Sequence, residues 1–164
     1  MITRLRDFER RDFEALWQID QICFLPGIAY SRRELWIFIR LWKAFTLVAE
    51  SVETEVPQSN SSPRIAGFLV ADARRITGHI ITIDVLPDFR RTGVGSQLLE
   101  EAEKRLLAAN CRGVSLETAV ENTSAIAFYK RHGYRVLRTS PQYYSNGSDA
   151  LVFFKDLLSR AQAS

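Results

Sequence analysis

The 164-residue sequence is poor in the residues that staple small proteins or hold metals: it contains two cysteines, Cys23 and Cys111, and two histidines. The cysteines lie far apart, with no Cys-x-x-Cys partner and no histidine at ligand spacing, so no disulfide framework and no metal site are expected. Also missing is any apolar run near the ~20 residues of a membrane-spanning helix, and Met1-Ile2-Thr3-Arg4-Leu5-Arg6-Asp7 does not read as a signal peptide. The expectation is a cytoplasmic protein without membrane contact, in which the N-x-S/T triplets at Asn60, Asn122 and Asn146 have no bearing, since they matter only in secreted proteins. The net charge is only +3, and the basic residues are interleaved with nearly as many acids. Without a basic stripe, direct nucleic-acid binding is not expected, although an excess of arginine suits a phosphorylated cofactor.

With 46% hydrophobic and 25% charged residues, the chain suits one globular domain with its own core. No internal repeat divides it. The domain is expected to occupy residues 1–158, with 159–164 as a frayed tail.

Ile2 to Phe8 alternates apolar and polar residues, as a half-buried strand does. Asp12 stands where it can cap a helix running through Phe13, Leu16, Trp17, Ile19 and Cys23, which Leu25-Pro26-Gly27 ends. Ser31 and Glu34 form a capping-box pattern ahead of Leu35, Trp36, Phe38, Ile39 and Trp42, predicting a second helix. Strands are predicted at Phe45 to Val52, Arg64 to Ala73 and Gly78 to Val85, with the polar, Ser- and Pro-rich stretch Glu53 to Pro63 as a mobile loop. An amphipathic helix over Gly95 to Ala109 follows, then a strand at Gly113 to Thr118 and a helix at Asn122 to His132 stopped by Gly133. Tyr134 to Tyr144 and Leu151 to Phe154 read as closing strands. The order predicts an α/β domain: one mixed, mostly antiparallel sheet flanked by helices on both faces.

Arg90-Arg91-Thr92-Gly93-Val94-Gly95-Ser96 sits between a strand and an amphipathic helix, where successive backbone N–H groups and a helix N-terminus can bind a pyrophosphate. No Gly-Lys-Ser/Thr follows, so it is not a P-loop; the third glycine of G-x-G-x-x-G is missing, so it is not a dinucleotide fingerprint. A second segment, Leu116-Glu117-Thr118 followed by Asn122-x-x-Ala125-x-x-Phe128-Tyr129-x-x-x-Gly133-Tyr134, places Asn122 at a helix start. Tyr129, two turns on, falls on the same helical face about 10 Å along the axis.

The stretch Val85-x-Pro87-x-x-Arg90-Arg91-x-Gly93-x-Gly95 resembles the pyrophosphate motif of the GCN5-related N-acetyltransferases, and the second segment resembles that family's other signature. The resemblance spans nearly the whole chain, with the insert Glu53 to Pro63 as a departure. The nearest branch is the N-alpha-acetyltransferases, including RimI-type enzymes: Gly78-His79-Ile80-Ile81-Thr82, Phe24-Leu25-Pro26 to Tyr30, and Gln142-Tyr143-Tyr144 with Asp149-Ala150 are similar to segments of that branch. The resemblance implies acetyl-CoA as cosubstrate, contacted by Ile83, Asp84, Val85, Arg90, Arg91, Thr92, Gly93, Val94, Gly95, Ser96, Asn122 and Tyr129. It implies Tyr129 as general acid beside the sulfur, and Tyr30, Tyr143 and Tyr144 at the mouth of the acceptor site. The acceptor it implies is a protein or peptide N-terminus, a ribosomal protein among the candidates.

Acetyl transfer to an amine needs a neutral nucleophile, a carbonyl held in line and a proton for the departing thiolate; it needs no covalent protein intermediate. That agrees with the lack of a nucleophile constellation, since Cys23 has no evident base nearby in the pattern. On the strand from Gly113, alternation sets Glu117 on the face opposite Val114, Leu116 and Thr118. Such an acid is either a salt-bridged surface group or an active-site residue; the resemblance implies the general base, acting through water, with His79 as a possible assistant. Because the cofactor motifs are shared across the family, a small amine or a lysine side chain remains an alternative acceptor. A non-catalytic acyl-CoA sensor is a third reading, against which stands the presence of both Glu117 and Tyr129.

Overall fold

The computed structural model describes residues 2–52 and 63–161, so the expected loop at Glu53 to Pro63 lies, apart from Pro63, outside the described residues. The chain runs through β1 (Ile2–Asp7), a 3-10 turn at Arg10–Asp12, α1 (Phe13–Cys23), α2 (Arg32–Ile39), β2 (Ala44–Val52), β3 (Arg64–Asp72) and β4 (Thr77–Val85). A second 3-10 turn at Pro87–Phe89 leads to α3 (Val94–Ala108), β5 (Gly113–Ala119), α4 (Thr123–Arg131), β6 (Arg135–Ser140), β7 (Ala150–Asp156) and the short α5 (Leu158–Ala161). The strands form one sheet in the order β1-β2-β3-β4-β5-β7-β6, antiparallel throughout except between β4 and β5.

Unbroken burial over Thr46–Ser51 of β2 and Ala66–Asp72 of β3 shows that both faces of the central strands are covered, since neighbouring strand residues point to opposite faces. α3 lies against β1 to β5, while α1 packs on β3 and β4 and α2 on β2. The core they enclose is centred on Leu16, Leu35, Leu47, Phe68, Leu98 and Phe153. β4, by contrast, alternates buried and half-buried residues, leaving one of its faces partly open.

Local signals set several element ends. Ser31 Oγ accepts the Glu34 N–H at 3.1 Å and Glu34 Oε2 accepts the Ser31 N–H at 2.7 Å, the reciprocal pattern read from the sequence. Asn122 Oδ1 accepts the Ala125 N–H at 3.2 Å and starts α4, which ends before Gly133. Other expectations are corrected. Asp12 holds the cap position of α1, but its carboxylate binds Arg6 and the Glu9 N–H instead of the helix, because a partly buried guanidinium offers the stronger partner. α2 closes at Ile39, and Trp42 stands beyond it, 74% exposed. The strand expected from Tyr134 to Tyr144 stops at Ser140, because Pro141 follows and Gln142 takes a positive φ of 48°. Leu158–Ala161 form α5, and the rest of the tail expected from 159 lies outside the described residues.

One buried ion pair ties α3 to the sheet. Lys155 on β7 donates from Nζ to Glu103 on α3, at 2.9 Å to Oε2, with both side chains nearly excluded from water. Removing the cation takes the charged partner away from a buried acid. Lys155→Met is therefore expected to cost about 3–5 kcal/mol in urea unfolding, whereas Arg11→Met, which removes the exposed pair with Glu9, should be close to neutral.

Candidate active site

β4 and β5 are paired at only three positions, Thr77↔Gly113, Gly78↔Val114 and His79↔Ser115. Beyond them the strands diverge, β4 remaining bonded to β3 and β5 to β7. Each strand therefore turns an edge of unpaired backbone groups toward the opening, and such groups must find partners in water or a ligand. The cleft has a volume of about 510 Å³ and is floored by Ile80–Ile83 of β4 and Leu116–Ala119 of β5.

Six residues singled out in the sequence line this cleft together: Tyr30, Ile83, Glu117, Asn122, Tyr129 and Tyr144. Glu117 also lines a second cavity of about 310 Å³, on whose wall His79 stands with Asp72, Arg74 and Arg75. Glu117 Oε2 and His79 Nε2 are 2.6 Å apart, so the acid and the imidazole form one bonded pair between the two cavities. Both side chains keep partial solvent access, which a group that must exchange protons requires.

Tyr129 has a double place. Its ring is 6% exposed and packs on Phe128, Tyr134 and Phe153, yet the residue also forms part of the cleft wall. Burial pushes its phenol pKa up, so the hydroxyl is held as a proton donor.

The rim is built by two loops. A bulge in the β3–β4 ladder leaves Ile81 without a partner on β3, and its carbonyl accepts the Tyr30 hydroxyl at 3.3 Å. Tyr144 lies across from it, with Tyr143 set edge-on at 4.9 Å between centroids and 48% exposed. Burial raises the pKa of all three phenols. The loops join where Ser145 donates its N–H to the Gly27 carbonyl at 3.1 Å. A Cβ on Gly27 would stand 2.8 Å from the Asn146 Cβ, and its φ of 86° is left-handed, so only glycine permits this closure. The local pattern Leu25-Pro26-Gly27 marks only a helix stop; the residue that Gly27 meets lies more than a hundred positions away.

At the far end of β4, Arg90 Nε and Cys23 Sγ both donate to the Val85 carbonyl, at 3.0 and 3.4 Å, and the Asp84 carboxyl is buried, accepting the Thr82 hydroxyl at 2.5 Å. Neither Asp84 nor Val85 is among the cleft-lining residues. The turn from Arg90 brings the chain to α3 through Arg91 and Gly93, both at positive φ, 61° and 90°. With nothing within 4 Å of a Cβ on Gly93, the first N–H groups of α3 open onto free space. Two hydroxyls of this turn are occupied: Thr92 Oγ1 donates to Phe89 O at 2.5 Å, and Ser96 Oγ lies 2.9 Å from His132 Nε2. Gly95 is small for a reason the sequence did not reveal, since a Cβ there would meet the Phe128 ring at 3.3 Å. α4 is thereby clamped to the start of α3, by Phe128 on Gly95 and His132 on Ser96.

A family model described as the acetyltransferase (GNAT) family matches residues 6–134. An uncharacterised N-acetyltransferase of Methanocaldococcus jannaschii is 28% identical over 152 residues, 92% of this chain and 90% of that protein. N-alpha-acetyltransferase 20 of Dictyostelium discoideum is 32% identical over 127 residues, 73% of this chain and 67% of that protein. Among solved structures, Ard1 from Thermoplasma volcanium superposes with a TM-score of 0.79 at 27% identity, over 95% of this chain and 98% of that one.

Cys23 is the one thiol on the cleft wall. Burial pushes its pKa up to about 11, so it stays a thiol at neutral pH and is a poor nucleophile. Alkylation of Cys23 by iodoacetamide is expected to be far slower than that of free cysteine at pH 7, and to accelerate as pH approaches 11. Rapid labelling at pH 7, read by peptide mass spectrometry, would contradict this.

Proposed function

The chain belongs to the acetyltransferase (GNAT) family, and from that premise we propose that it transfers the acetyl group of acetyl-CoA directly to a protein N-terminal α-amino group, with Glu117 as general base and Tyr129 as general acid. The observation that carries the reading is the position of these two groups on the walls of one cleft, one a solvent-linked carboxyl and the other a phenol held protonated.

The residues present suit the cosubstrate. The open N–H groups from Arg91 to Ser96 form a pyrophosphate cradle, with Thr92 and Ser96 serving through backbone because their hydroxyls are committed elsewhere. The free edge of β4 near Ile83 offers hydrogen bonds to an extended amide-bearing arm, and Asn122 and Tyr129 on α4 close over it. Acetyl-CoA supplies the activated acetyl carbonyl. Glu117 draws a proton from the incoming amine through water, and His79 shares the charge through their 2.6 Å bond. Tyr129 returns a proton to the leaving sulfur.

Support for an α-amino acceptor comes from three sides. A relative alignable over most of both chains bears the name N-alpha-acetyltransferase. Tyr30, Tyr143 and Tyr144 narrow the mouth, which favours a chain terminus over a side chain in the middle of a folded surface. An amine of pKa near 8 is roughly one-tenth neutral at pH 7, whereas a lysine near 10.4 is only about one part in 2,500 neutral, so a modest base such as Glu117 suffices for the first. Two peptides of one sequence decide the matter, one with a free N-terminus and blocked lysines, the other with a blocked N-terminus and a free lysine. Only the first is expected to gain an acetyl group at a substantial rate by mass spectrometry. Equal rates would transfer the assignment to a lysine or small-amine acetyltransferase.

A further inference from the structure

Beneath the cleft, α1 and β4 meet through two carboxyl groups that the acetyl transfer does not use. Asp20 is 0% and Asp84 1% exposed. Asp20 Oδ2 accepts the backbone N–H of Tyr30 at 2.7 Å, and Asp84 Oδ1 accepts the Thr82 hydroxyl at 2.5 Å. Their remaining oxygens, Asp20 Oδ1 and Asp84 Oδ2, are buried without a partner if both groups are carboxylates. The two side chains are nevertheless within hydrogen-bonding reach of each other. Two anions in contact and shielded from water would repel strongly, while two orphaned acceptors would each forfeit a hydrogen bond. A single proton between Asp84 Oδ2 and Asp20 Oδ1 removes both costs, as in other carboxyl pairs that cannot both ionise.

We propose that Asp20 and Asp84 share one proton, and that this bond is a positioning device that fixes Tyr30 of the acceptor mouth to the cofactor strand. The connection runs from the Tyr30 N–H through Asp20 and Asp84 to Thr82, while the Tyr30 hydroxyl reaches Ile81, so the tyrosine is held at backbone and ring by consecutive stretches of β4. The inference rests on the reading of Tyr30 as an acceptor-site residue. The surroundings agree with a retained proton: the groups that face the pair are the Cys23 thiol, the phenols of Tyr30 and Tyr129, Glu34 and Arg90. Desolvation raises both carboxyls, Asp84 well above the usual range, against a smaller opposing pull from Arg90. Because folding raises this pKa, the bond is intact at acid and neutral pH and is lost as pH rises through the folded value.

Steady-state kinetics with separate acceptor and acetyl-CoA titrations test the positioning role. Asp20→Asn keeps an oxygen for the Tyr30 N–H and offers an amide N–H to Asp84, so its acceptor KM should stay within about twofold of wild type. Asp20→Ala removes both bonds and should raise the acceptor KM about tenfold or more while leaving the acetyl-CoA KM unchanged. An Asn variant impaired as much as the Ala variant would mean that the charge of Asp20 matters, and an Ala variant with wild-type acceptor KM would mean that the pair positions nothing; either overturns the proposal. The shared proton itself needs no variant. Infrared spectra of the wild-type protein carrying ¹³C-labelled aspartate should show a protonated-carboxyl C=O band at neutral pH, and its absence overturns the proton assignment whatever the acceptor proves to be.

Discussion

The site exists because a β-ladder stops. After His79↔Ser115 the parallel strands β4 and β5 separate, and the sheet is divided by a wedge whose walls are unpaired backbone. A sheet interior with unsatisfied N–H and C=O groups is costly, so the remaining structure is arranged to line, rim and partly refill that wedge. α4 closes one side through Asn122 and Tyr129, and the loops after α1 and β6 close another through Tyr30 and Tyr144. The bulge at Ile81 belongs to the same constraint, since it bends β4 and frees a carbonyl that Tyr30 then takes.

The titratable groups around the cleft differ in their access to water. Glu117 and His79 sit between two cavities and can exchange protons with solvent, whereas Tyr129 is enclosed by aromatic rings and keeps its proton. A solvent-linked carboxyl and a phenol held protonated by burial thus line one cleft. Cys23, on the wall of the same cleft, is kept a poor nucleophile by burial.

What was legible in the sequence is what local physics dictates. The Ser31–Glu34 box, the Asn122 cap and the end of α4 before Gly133 depend on residues within one helical turn, and all three stand in the structure. Membership of the acetyltransferase family was legible too, from the segments around Arg90–Gly95 and Asn122–Tyr134. Contacts between distant segments were not. Gly27 against Asn146, Gly95 against Phe128 and His132 against Ser96 join residues with no spacing pattern that would reveal them. The Asp12 carboxylate was misread for a related reason: a helix-cap pattern was visible, but the competing arginine, Arg6, became its neighbour only through the turn between β1 and α1. The strand expected from Tyr134 to Tyr144 shows a different failure: it was carried past Pro141, and the turn at Gln142 gave no strong signal.

The central claim is that the cleft between β4 and β5 is where the acetyl group changes hands, with Tyr129 as its proton donor. Single-turnover kinetics of Tyr129→Phe, alongside calorimetric acetyl-CoA affinity, address it most directly because the substitution removes one oxygen and keeps the packed ring. The account predicts unchanged affinity and a chemical rate lower by roughly 10²-fold or more. A wild-type rate in the phenylalanine variant would contradict it, returning Tyr129 to the core with its ring alone to account for.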